Sequence, residues 1–306
     1  MNDRRSFYFL WVSQMIANAG DVLYIVGLIQ VVYLSSGSVL TLTLIPLTIT
    51  FSRLIGSFLT PLLLHRFPLR RILLFSMFGK IVVLSAVFLL KDEAILWILL
   101  LVSIIAFLDG WSTPTRQAML PELVGKSALP QANSLVAISD NTVNLVSWPL
   151  GAFFVAQFDG GLLILVTIFL YILGWLLTYG IKSIIFVRKE IPSLKEQLSG
   201  GWRYSFSNKS IRNVLILDML TAFAGAVWIS AILYVYVDEV LDKNEAWWGY
   251  INAFYSGGFI IGGYLFAKLV KVSGQHMIVV GCFLTSLLTV WFIYPQFAVV
   301  ALVISL

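Results

Sequence analysis

The chain has 306 residues, of which 59% are hydrophobic and only 11% charged. Soluble domains carry about 25% charged residues, so this composition excludes a water-soluble fold. The formal net charge of +5 does not point to nucleic acid, because the basic residues sort by position along the chain rather than forming one patch.

Apolar runs of about 20 residues, the length that crosses a bilayer, recur near 7–33, 39–64, 71–90, 94–113, 132–157, 161–187, 212–237, 247–270 and 276–294. A tenth begins near 296. They are continuously apolar rather than alternating, which excludes a β-barrel. The first run is too long for the core of a secretory signal and lacks a small-residue cleavage site, so it is expected to stay as a membrane helix. With the N-terminus placed in the cytoplasm, sixteen of the 20 lysines and arginines fall on cytoplasmic ends. Lys91 and Lys243 fall outside, and Arg53 and Lys80 lie within spans. That asymmetry follows the positive-inside rule.

The connections expected outside are short: Ser35 to Ser38, Lys91 to Glu93, and Asp159 to Gly161. The longest connection, between the sixth and seventh spans, is polar. Its middle, Leu194 to Trp202, is expected to form a short interfacial helix anchored by Trp202 and Tyr204. This organisation predicts a six-helix bundle over 1–187, a cytoplasmic linker over 188–211 and an incomplete second bundle over 212–306. The second bundle would need six spans to match the first, so the sequence reads as a fragment of a longer protein.

Ionisable groups in hydrocarbon are costly and mark transport paths or proton relays by default. Asp21 lies midway along the first run, about 21 Å above its cytoplasmic end at a rise of 1.5 Å per residue. Arg53 lies about 18 Å above the same surface on the second, so a direct Asp21–Arg53 ion pair is one candidate arrangement. Asp21 is read either as a protonation site or as a structural carboxylate held by Asn18 or a neighbouring helix. On the fifth run Asp140, Asn141 and Asn144 form a polar stripe, Asp140 and Asn144 sharing one face four residues apart. It serves either a substrate or proton path or as glue between helices. Asp109 and Asp218 are placed near cytoplasmic ends as caps or gate partners, and Lys80 is expected to snorkel. Tyr24, Trp228, Tyr234 and Tyr255 are candidates for lining an amphipathic site. Gly257, Gly258, Gly262 and Gly263 are expected to pack helices closely.

Two stretches carry a family resemblance. The first closes the second run: Gly56, then His65-Arg66-Phe67-Pro68-Leu69-Arg70-Arg71. The second is Pro114-Thr115-Arg116-Gln117-Ala118-Met119-Leu120-Pro121-Glu122-Leu123-Val124, followed by Trp148-Pro149-Leu150-Gly151-Ala152. They resemble the major facilitator superfamily, specifically its drug–proton antiporter and macrolide or siderophore exporter branch. The first is similar to the family's loop signature, with His65 where aspartate is usual. The second is similar to the exporter branch's loop and to its antiporter signature, where Pro149 and Gly151 match and Trp148 and Ala152 replace glycines. Gly20-Asp21 is similar to a pair often seen in the first span of the same branch.

The resemblance implies an all-α polytopic fold of two helical bundles, with about nine to ten of an expected twelve spans present. It implies a monomeric secondary transporter in the bacterial cytoplasmic membrane, exporting small amphipathic molecules against protons by alternating access. Asp21, Arg53 and the Asp140 stripe with Asn18 would serve coupling and translocation. Gly56, His65, Arg66, Arg70, Arg71, Arg116 and Asp109 would form the cytoplasmic gate. A siderophore or metal-complex exporter, an uncoupled facilitator and a non-transporting membrane protein are the rival readings. Only His65, His276 and Cys282 offer soft ligands, and no phosphate-binding loop is present. No metal site, cofactor, enzymatic activity or ATP-driven cycle is expected.

Overall fold

The computed structural model describes residues 4–36, 39–90, 94–125, 127–182, 193–224, 236–243, 245–292 and 298–305. Among the described residues every regular element is helical, as expected for a backbone that finds no water partners in hydrocarbon. The helices are α1 (Arg4–Ser36), α2 (Val39–Leu64), α3 (Leu69–Leu89), α4 (Ile95–Asp109), α5 (Ser112–Val124), α6 (Leu129–Gln157), α7 (Gly160–Thr178), α8 (Leu194–Ser207), α9 (Lys209–Ala224), α10 (Glu245–Phe292) and α11 (Ala298–Ser305). A single π turn, Tyr236–Val240, precedes α10.

Five described helical stretches are long and apolar enough to cross a membrane: Arg4–Val32, Leu44–Leu64, Leu69–Leu89, Ile95–Val124 and Gly160–Thr178. Three features differ from expectation. The Pro114 to Val124 motif, expected as a loop, is helical, so the fourth span runs on through α5 to Val124. Pro121 sits inside α5, and the helix stops at Gly125, whose φ of 77° suits a residue without a side chain. The expected spans 247–270 and 276–294 are one 48-residue helix. Between them lie no proline and a lone glycine, Gly274, too little to stop a helix. Its length of about 72 Å is more than twice a bilayer's hydrocarbon thickness. The expected short helix at Leu194 is present and extends to Ser207, with Trp202 and Tyr204 exposed. Parts of the expected connections at 37–38 and 91–93, of the spans ending at 187 and 237, of the linker at 188–192, and the aromatics Trp228 and Tyr234 lie outside the described residues.

The chain gathers into two compact units, Met1–Ala132 with Val143–Ser199, and Asn133–Thr142 with Gly200–Leu306. In the first, α1 lies along α7, α3 packs on both α7 and α4, and α2 packs on α4. Asp159 starts α7 by accepting a hydrogen bond from the Leu162 N–H at 2.8 Å. Glycines set the α1–α7 separation: a methyl group at Gly27 would lie 2.8 Å from the Gly160 carbonyl oxygen. Leu28, Val32, Ile45, Leu84, Val87 and Ile98 fill the core of this bundle with no solvent exposure. In the second unit Val237, Leu241, Ile251, Phe292 and Ala301 cluster, and the Tyr236 hydroxyl donates to the Phe292 carbonyl at 2.7 Å. There Gly263 packs on Ile138, whereas Gly262 has open space around it.

Candidate functional site

Four charged side chains from four helices of the first unit form one continuous chain. Lys80 of α3 donates to Asp21 Oδ1 of α1 at 2.6 Å and to Asp109 Oδ1 of α4 at 3.0 Å. Arg53 of α2 meets the other oxygen of Asp109, Oδ2, at 2.9 Å. The Tyr171 hydroxyl of α7 donates to Asp21 at 2.5 Å, and Lys80 Nζ stands 4.5 Å from the centre of the Tyr171 ring. Two carboxylates and two cations make the set formally neutral, which is how charges survive at this depth.

Local packing places each member. Glycine at position 20 lets the Tyr171 ring lie against α1, since a methyl there would come within 2.8 Å of Tyr171 Cε1. That approach carries the hydroxyl to the next residue, Asp21. Gly56 of α2 and Gly110, which caps α4, meet at backbone contact: a methyl at Gly56 would run into the Phe107 carbonyl, and one at Gly110 into the Arg53 carbonyl. Ser57 Oγ donates to the Gly110 carbonyl at 2.9 Å across the same crossing. Arg53 and Asp109, each beside the crossing, are thereby held together.

Exposure runs along the chain. Lys80 is only 1% exposed, Asp21 and Asp109 are nearly buried, and Arg53 is 44% exposed. Three expectations change. Lys80 does not snorkel; it sits mid-way along α3 and is fully enclosed by two carboxylates. Asp21 and Arg53 share a depth but are not partnered, because Lys80 and Asp109 stand between them. Asp109 is no surface cap. It ends α4, but its bonds to Lys80 and Arg53 hold it at the level of those mid-helix cations.

The remaining predicted residues lie elsewhere. Asn18 is partly buried on α1, one turn from Asp21. On α6, Asp140 is partly buried and Asn144 exposed, while Asn141 donates to the Ala137 carbonyl of its own helix at 2.9 Å. Pro149 is inside α6, and Gly151 lets that helix approach Leu23 and Val26 of α1. His65 and Arg66 are exposed at the end of α2, and Arg116 is buried on α5. Arg70 Nη2 donates to the Tyr179 carbonyl at 2.7 Å, with Arg71 exposed beside it. Tyr24 is buried one turn beyond Asp21, and its hydroxyl has no partner among the described residues; Tyr255 is exposed. Tyr171 was not legible in sequence at all, one tyrosine among 12. Lys80 carried a usable signal, a cation centred in a 21-residue apolar helix and well past the arginine pair at its start.

Residues 10–306 match the Major Facilitator Superfamily. The chain belongs to that superfamily. Among curated relatives, the uncharacterized MFS-type transporter YfmI of Bacillus subtilis (strain 168) is 30% identical over 275 residues, covering 87% of this chain and 67% of that protein. The uncharacterized MFS-type transporter YjbB of the same strain is 27% identical over 286 residues, covering 89% and 68%. Crystal structures of a mutant peptide transporter POT share the fold. The complex with sulfate has a TM-score of 0.55 at 10% identity, over 98% of this chain and 78% of that one. The complex with alafosfalin has a TM-score of 0.55 at 11% identity, over 98% and 79%. At such identity the likeness is one of fold. This member of the superfamily is an integral membrane transporter.

Proposed function

We propose that this transporter exports small amphipathic compounds in exchange for protons, by alternating access. The observation that carries the reading is the neutral buried chain Asp21–Lys80–Asp109–Arg53, in which one ammonium is shared by two carboxylates. A proton arriving on Asp21 would release Lys80 wholly to Asp109 and leave the set with a net positive charge. Such a local charge change can bias a two-state protein only by its differential energy in the two states, and a desolvated site makes that difference large. Tyr171, bonded to Asp21, would hold the carboxyl in place in either protonation state. Asp140, Asn141 and Asn144 would meet the substrate or carry the proton onward. His65, Arg66, Arg70, Arg71 and Arg116 would close the cytoplasmic side, with Gly56 allowing the tight crossing that positions Arg53. Export of a siderophore-like complex uses the same machinery and is an outcome of the same experiment.

The experiment is uptake into vesicles containing the protein, with an imposed acid interior, against a panel of amphipathic antibiotics and siderophores. At least one compound should accumulate while the gradient lasts and leak when a proton ionophore collapses it. Asp21→Asn should lose the gradient-driven part yet still equilibrate that compound. Accumulation indifferent to the gradient in the native protein would refute coupling, and unchanged gradient-driven uptake in Asp21→Asn would remove Asp21 from it.

A further inference from the structure

Where the first turns of α3 run beside the end of α7 there is a groove that takes no part in the charged chain. Its volume is about 570 Å3. Arg70 and Arg71 stand at one end, and Phe75, Phe78, Trp175 and Tyr179 form its walls. On α3 the positions 71, 75 and 78 recur at helical spacing, so they share one face. Trp175 of α7 and Tyr179, which caps that helix, are one turn apart and meet edge to face at 4.9 Å. Phe78 and Trp175 close the far end, with ring centres 6.0 Å apart. Phe75, Phe78 and Tyr179 are each at least half exposed, so the aromatic wall is open to whatever surrounds the helices.

The basic end is built rather than incidental. Arg70 is pinned by its bond to the Tyr179 carbonyl and by stacking 5.5 Å over the Tyr179 ring. Its Nε is buried and has no hydrogen-bond partner among the described residues. A buried guanidinium N–H left unpaired is costly, and an incoming acceptor would relieve it. Arg71 is exposed next to it and adds a second cation within reach of the same acceptor.

Position along the bilayer decides what fits. The apolar span of α3 begins at Leu69, so the arginines lie at the boundary between headgroups and hydrocarbon. From Arg71 to Phe78 the wall climbs about 10 Å into the apolar layer. A soluble anion would use the arginines and waste the aromatic wall. A neutral amphiphile would use the wall and leave two cations uncompensated. We propose that the α3–α7 groove binds one anionic phospholipid of the adjoining leaflet, with its phosphate on Arg70 and Arg71 and an acyl chain along Phe75, Phe78 and Trp175. Basic pockets between membrane helices recognise lipid headgroups by this chemistry. The site shares Arg70 and Arg71 with the cytoplasmic closure proposed above, but its test reads lipid contact and does not depend on what the transporter carries or in which direction.

The test uses Trp175 as reporter. The protein is reconstituted in phosphatidylcholine vesicles containing a graded fraction of phosphatidylglycerol with brominated acyl chains, which quench tryptophan on contact. The Trp175→Phe variant defines the share of the quench owed to that residue. The Trp175 share should be half quenched at a fraction about tenfold lower for brominated phosphatidylglycerol than for brominated phosphatidylcholine, as expected for two near-surface cations. The double variant Arg70→Gln, Arg71→Gln should lose that preference, while Arg70→Lys, Arg71→Lys, which keeps the charge and reports on correct folding, should retain most of it. Equal quenching by the two lipids, or a preference that persists without the arginines, overturns the proposal. Relief of the quench by millimolar inorganic phosphate would overturn it in favour of a soluble-anion site.

Discussion

Lys80 holds two carboxylates with one ammonium, and that asymmetry predicts how its neighbours respond to substitution. Removing Asp21 as Asp21→Asn leaves Lys80 bonded to Asp109, so the loss is one charged hydrogen bond, about 1.5–3 kcal/mol. Removing the cation as Lys80→Met strands Asp21 with only the Tyr171 hydroxyl and strips Asp109 of one partner. Breaking a buried pair from one side costs about 3–5 kcal/mol, so Lys80→Met should be the more damaging change. The double variant keeps the Asp109–Arg53 pair and removes a matched acid and base, so it should recover much of the loss, with a coupling energy on the order of 2 kcal/mol. Unfolding midpoints in detergent for the two singles and the double measure this directly. If Lys80→Met proved no worse than Asp21→Asn, Lys80 would not be the shared counter-ion.

The helices that carry these groups are spaced by glycines, and here the usual propensity argument reverses sign. In an exposed helix, glycine to alanine is favourable by about 1 kcal/mol. At Gly56 the added methyl meets the Phe107 carbonyl, which belongs to a packed helix and cannot swing aside. Overpacking of this kind costs about 1–3 kcal/mol, and it would pry Arg53 from Asp109. Gly262 on α10 has nothing within 4 Å of the same methyl. Gly56→Ala should therefore lower the thermal aggregation midpoint in detergent while Gly262→Ala leaves it level or raises it; matching responses would mean that the α2–α4 crossing is looser than described. The same helices show what sequence could and could not deliver. Apolar run length located the all-helical fold, because hydrophobic thickness constrains length directly. It did not locate the end of the fourth span, because Arg116, Pro121 and Glu122 interrupt the apolar pattern of α5 without interrupting its helix. That misplaced end put Asp109 at the surface and hid it as the partner of Arg53. Lys80 was hidden for a related reason: hydropathy gives depth along a helix but not which neighbour a side chain faces.

At the scale of the whole transporter, charges kept in hydrocarbon must face each other or reach water. Lys80, Asp21 and Asp109 satisfy the first condition; Arg53, at 44% exposure, tests the second. On α2 it stands one turn from the exposed Thr50, while Ser57 and the buried Thr60 further along turn into the α4 crossing; Phe51, 61% exposed, lies well round the helix from it. The Thr50–Arg53 edge is polar and the Phe51 face is apolar, so only that edge is suited to line an aqueous passage. The native chain has one cysteine, Cys282, and Cys282→Ser gives a clean background. A membrane-impermeant maleimide reacts only with a hydrated thiolate. Arg53→Cys should therefore label at least about tenfold faster than Phe51→Cys in intact vesicles, and saturating transported substrate should slow the first and not the second. Asp109 keeps Lys80 in this variant, so the core stays paired while the reporter is read. Labelling at equal rates, or none at position 53 from either side of the membrane, would place Arg53 against lipid and leave its charge to be explained by Asp109 alone.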